Sequence, residues 1–131
     1  MIWKIYFGFL ALLNLGGWAT LLIMGADTPY SWADYILTGV NSLQVVGLFG
    51  FAFKRPILSL QFWRVVFPVL LLNLAATVVM IAVRFSLARN GQIAAAVALA
   101  SPIVLLLYLP AVIANYRYAF QRPDIWTPAT T

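Results

Sequence analysis

The sequence predicts an all-α, polytopic membrane fold: a four-helix bundle of two parallel, pseudo-repeated helical hairpins, with both termini on the cytoplasmic side. Three observations lead there. Of its 131 residues 64% are apolar and only 8% charged, where a soluble domain carries about 25% charged residues. The apolar residues gather into four continuous runs, each near or above the ~20 residues that a helix needs to cross hydrocarbon. The first and second halves also share a pattern of tryptophan, basic, asparagine and proline residues. Four runs use most of the length, so residues 1–131 read as a single transmembrane domain. Barrel strands would be ~10 residues long with alternating polarity, which these continuous runs do not show.

The first helix is predicted over about 2–24. It starts in the aromatic and basic group Trp3, Lys4 and Tyr6 and ends at Gly25. Lys4 ahead of an apolar run resembles a secretory signal, but the run continues to Met24 without a small-residue cleavage site, so it is read as a retained span. The second helix is expected over 34–53. Asp34 complements the positive end of its dipole, and Lys54-Arg55-Pro56 stops it. Its glycines Gly39, Gly47 and Gly50 suit close helix contact. The third is expected over 62–85 with Pro68 in its second turn, and the fourth over 93–120, where Pro102 and Pro110 favour a kink. Trp32, Trp63 and Trp126 at segment ends fit an interfacial aromatic belt.

Orientation follows from the basic residues, because cytoplasmic loops retain positive charge during insertion. Lys4, Lys54, Arg55, Arg64, Arg117 and Arg122 all fall on one side. Only Arg84 and Arg89 fall on the other, which also receives Asp27 and Asp34. The net charge of +5 is therefore a topology signal and not a nucleic-acid surface. Arg84 and Arg117 are placed to snorkel toward opposite interfaces.

The repeat pairs Trp3-Lys4-Ile5-Tyr6-Phe7 with Trp63-Arg64-Val65-Val66-Phe67. After a one-residue slip, Leu12-Leu13-Asn14-Leu15-Gly16-Gly17 pairs with Leu71-Leu72-Asn73-Leu74-Ala75-Ala76. The hairpins then close alike, Phe51-Ala52-Phe53-Lys54-Arg55-Pro56 against Tyr118-Ala119-Phe120-Gln121-Arg122-Pro123. Hairpins 1–56 and 61–123 both begin and end in the cytoplasm, so their symmetry axis would lie along the membrane normal.

At ~1.5 Å rise per residue, Asn14 and Asn73 each lie about 16 Å above the tryptophan that opens their helix, near the bilayer midplane. Asn41, Gln44 and Tyr108 fall at a similar depth. Amides in hydrocarbon need protein partners, so these five residues are expected to face inward as a midplane polar cluster. The cluster reads either as interhelical bonding or as a polar solute site. No ionisable residue shares that depth, which argues against a proton-coupled carrier.

Cysteine and histidine are absent and the only acids are Asp27, Asp34 and Asp124, so the usual nucleophiles, imidazole bases and metal-ligand sets are missing. The sequence predicts no enzyme, no cofactor and no metal. Small multidrug transporters match in size alone, since their acidic residue in the first helix is lacking. The segments FAFKRP, YAFQRPDIW and FWRVVFP resemble parts of small four-helix inner-membrane proteins of bacteria. That resemblance implies the bacterial inner membrane as location, and it supplies no activity and no site residues.

The function expected is non-catalytic: an accessory or assembly subunit, or an immunity protein against a membrane-active toxin. Such a protein acts through helix contacts in the bilayer, with a membrane-protein partner or as a homo-oligomer. The alternative is a channel or facilitator for a small polar solute, working as an oligomer because four helices enclose little volume.

Overall fold

The computed structural model describes residues 1–24, 32–87 and 91–127. Asp27 and Arg89, used above for orientation, lie outside them. The fold is all-α, with helices α1 (Ile2–Met24), α2 (Trp32–Phe53), α3 (Leu60–Leu87) and α4 (Gly91–Tyr116). A π-helical turn, Arg117–Gln121, and a four-residue helix α5, Pro123–Trp126, follow. Among the described residues three helices, α1, α2 and the Leu60–Met80 part of α3, are long and apolar enough to cross a membrane.

Local chemistry sets the connection between α2 and α3. Lys54 adopts a left-handed φ of 53°. That turn lets the Arg55 N–H reach the Gly50 carbonyl (2.9 Å) and the Lys54 N–H the Phe51 carbonyl (3.4 Å). Both bonds form a Schellman closure, with lysine where glycine is usual. Ser59 then caps α3: its hydroxyl accepts the Phe62 N–H at 3.1 Å. Helix α3 therefore starts at Leu60 rather than 62, and Pro68 lies in its third turn instead of its second. The fourth helix also departs from expectation. Its α-helical hydrogen bonding stops at Tyr116, and 117–121 widens into the π turn, which carries Tyr118 and Ala119 into the core.

Helix α2 is the hub. It packs against α1 on one side and against α3 and α4 on the other, while α3 and α4 form their own close pair. The core collects at the end where α1 and α3 begin and α2 and α4 finish, around Leu10, Leu48, Phe51, Trp63, Leu70, Ala111, Ala114 and Tyr118. Trp63, expected in the interfacial belt, is 1% exposed. Its indole N–H donates to the Ile57 carbonyl at 2.6 Å, so the connecting loop wraps over the ring and removes it from lipid. The outer faces are apolar too: Leu12, Leu22, Ile36, Val65, Leu72 and Leu106 all point away from the bundle.

Aromatic contacts recur at corresponding positions of the two hairpins. Trp3 meets Phe51 edge-on at 5.2 Å, and Trp63 meets Tyr118 at 5.5 Å. Phe7 meets Phe53 at 5.7 Å, and Phe67 meets Phe120 at 5.6 Å. The Lys4 ammonium lies 5.0 Å over Phe53, and the Arg64 guanidinium 5.8 Å over Phe120.

Candidate functional site

Helical periodicity on α2 sorts its polar residues into two groups. Asn41 and Gln44, three apart, share the side that meets α3 and α4. Ser42 is turned ~100° from Asn41 and meets α1. The amides therefore split between two interfaces.

On the α3 and α4 side, Asn73 Nδ2 donates to Asn41 Oδ1 at 2.9 Å. Gln44, 2% exposed, donates from Nε2 to the Tyr108 carbonyl at 3.2 Å. Its own backbone carbonyl accepts Asn115 Nδ2 at 3.1 Å. Pro110, which has no N–H for the Leu106 carbonyl, interrupts the α4 ladder next to these bonds. The next two carbonyls, Leu107 and Tyr108, accept cross-helix donors, the Tyr6 hydroxyl and the Gln44 amide. A cavity of about 210 Å³ opens beside these bonds, lined by Asn41, Gln44, Asn73, Leu74, Thr77 and Tyr108. None of these residues carries a charge. Asn73 is 8% exposed, and its Oδ1 is buried without a hydrogen-bond partner among the described residues.

Four of the five predicted polar residues thus meet at one cavity. Asn14 does not join them, because α2 stands between. It accepts from the Ser42 hydroxyl at 3.0 Å, and Ser42 in turn accepts the Trp18 indole N–H at 2.9 Å. Asn14 and Asn73 both bond across helices, but to different faces of α2.

Asn115, outside the predicted cluster, is the most buried amide among the described residues, at 1% exposed. An amide inside the apolar run of α4 was the available signal. Its Nδ2 also donates to the Ala111 carbonyl at 2.8 Å, and its Oδ1 presses against Gly47. A Cβ added at Gly47 would overlap that oxygen and come 2.7 Å from the Trp63 ring. Gly50 likewise leaves room for the Tyr118 ring. Gly39, expected to do the same, faces open space, since it lies two turns from where α2 and α4 approach.

Lys4, Lys54, Arg55, Arg64, Arg117 and Arg122 share the end of the bundle that holds the core. Lys54, Arg55, Arg64 and Arg117 are exposed there. Arg122 is paired with Asp124, bonding at 2.8 and 2.7 Å. Those hydrogen bonds hold the Asp124 carboxyl below its ordinary range and push the Arg122 guanidinium up. Arg55 has a structural part as well. Its carbonyl accepts the Tyr118 hydroxyl at 2.7 Å, and that hydroxyl accepts the Ile57 N–H at 2.8 Å, so one buried phenol ties down the loop between α2 and α3. Comparison with protein-family models, with curated proteins and with solved structures gives no match to this chain.

Proposed function

We propose that this chain is a non-catalytic protein of the bacterial inner membrane that crosses the bilayer four times and acts through helix contacts with another membrane protein, as an accessory, assembly or immunity subunit. The observation that carries this reading is the one-sided docking of α1. That helix packs chiefly on α2, and only 11% of its apolar span is buried. Around Gly8, Gly16 and Gly17 there is open space on the outside. Small residues on a lipid-facing helix let a second helix approach closely, and such packing is the main source of helix association in hydrocarbon.

The finer architecture belongs to the same proposal. Helix α4, 26 residues long, serves as the fourth crossing and brings both termini to the cytoplasmic side with the basic end. The hairpins 1–56 and 61–123 are parallel pseudo-repeats. What supports this is the recurrence of the tryptophan, phenylalanine and cation contacts at corresponding residues. The polar bonds do not recur: Asn73 reaches across to α2, whereas Asn14 stays within its own hairpin. The proposal is thus a duplicated scaffold whose interior has diverged.

Purification of the tagged chain in mild detergent, followed by mass spectrometry, tests the reading. A stoichiometric membrane protein should co-purify with the native chain and be lost, with the fold intact, when Gly16 and Gly17 are both changed to leucine. Recovery of a lone monomer, or a partner that ignores the double substitution, would overturn it.

A further inference from the structure

We infer that the cavity between α2, α3 and α4 is a binding site for a small uncharged polyol. The inference does not depend on the helix-contact reading, because α1 contributes no residue to the cavity lining.

The hydrogen-bond inventory of the lining selects the ligand class. Asn73 Nδ2 spends one hydrogen on Asn41 Oδ1, and Gln44 Nε2 spends one on the Tyr108 carbonyl. The Thr77 hydroxyl is turned back to the Asn73 carbonyl at 2.9 Å. Left over are the Gln44 Oε1 acceptor, the Tyr108 hydroxyl and the remaining amide hydrogens of Asn41, Gln44 and Asn73, whereas the Asn73 Oδ1, though without a partner among the described residues, is fully enclosed and out of a ligand's reach. A ligand that satisfies both kinds of group must donate and accept from the same atoms, as a hydroxyl does.

Other classes fit worse. A cation would leave water for a lining that contains no carboxylate, so no negative charge offsets its lost hydration. An anion would meet no arginine or lysine. A purely apolar solute would displace water from the Asn41, Gln44 and Tyr108 polar groups without replacing its hydrogen bonds, which is costly. Size agrees as well. About 210 Å³ is room for roughly seven waters at about 30 Å³ each, and so for a solute of a similar number of non-hydrogen atoms. The Leu74 side of the cavity supplies an apolar wall for the carbon skeleton.

Saturation-transfer NMR on the full chain in nanodiscs, with glycerol as the probe, tests the site. Glycerol should receive saturation from the native protein, and 1-propanol, with the same carbons but one hydroxyl, should compete at least ten-fold less well. Leu74→Phe fills the cavity without removing a polar group and should reduce the glycerol signal at least ten-fold, as should Asn73→Leu. Asn14→Leu alters the amide on the far side of α2 and should leave the signal unchanged. If Asn73→Leu fails to fold, Leu74→Phe still decides. No transfer to glycerol in the native chain, meaning a cavity that holds water alone, would overturn the inference. So would equal transfer in the native and Leu74→Phe proteins, or tighter binding of 1-propanol.

Discussion

Single residues decide how the ends of the helices are finished. Lys54 occupies a left-handed position, at φ 53°, because the Schellman closure of α2 demands that conformation there. A side chain with a Cβ is strained in that region and glycine is not. Lys54→Gly should therefore stabilise the protein by about 1 kcal/mol, read as a higher midpoint of thermal unfolding in detergent. An unchanged or lower midpoint would mean that the lysine side chain itself contributes more than its backbone strain costs. Tyr118 shows the limit of reading residues one at a time. In the sequence it is the partner of Phe51 in a repeated closing motif. In the structure its hydroxyl holds the backbone at Arg55 and Ile57, a role that its predicted counterpart has no atom to perform.

Between elements, the meeting of α2 and α4 is the most demanding contact in the molecule. Gly47 lies under Asn115 and Trp63, and Gly50 lies under Tyr118, where any Cβ would force the neighbour away. The α4 side of this contact offers the small residues Ala111 and Ala114, both fully buried. Gly47→Ala should cost roughly 2–3 kcal/mol by overpacking, since neither the Asn115 amide nor the Trp63 ring is free to retreat. Gly39→Ala, on the same helix but in open space, should instead raise stability by about 0.5–1 kcal/mol, because alanine favours the helix. Parallel thermal melts of the two variants check this, and similar behaviour would refute the assigned contact. All three glycines stand out equally in the sequence. Which of them matter depends on where α4 crosses, and nothing in α2 records that.

For the whole molecule, the charge distribution predicts that both termini stay in the cytoplasm. An alkaline phosphatase fused after Thr131 should be inactive and a fluorescent protein fused there bright, and the reverse pattern would overturn the topology. The all-α class, three membrane-length apolar helices and the presence of polar residues deep within them were legible from the sequence alone. Each follows from local quantities: run length, hydropathy, and the cost of an unpaired amide in hydrocarbon. Local signals also carried more than was taken from them, since Ser59 marks the start of α3 and Asn115 stands out in an apolar run. Which amide bonds which was decided only by the tertiary structure. Asn14 and Asn73 occupy matching sequence contexts, yet they lie on different sides of α2 because α1 and α3 pack against different faces of that helix. Asn41 and Ser42, adjacent in the chain but turned ~100° apart, look into different interfaces. The burial of Trp63 and the polar-lined cavity have the same origin. They come from how four helices rotate about their axes when packed, a choice made by the side chains of all of them together.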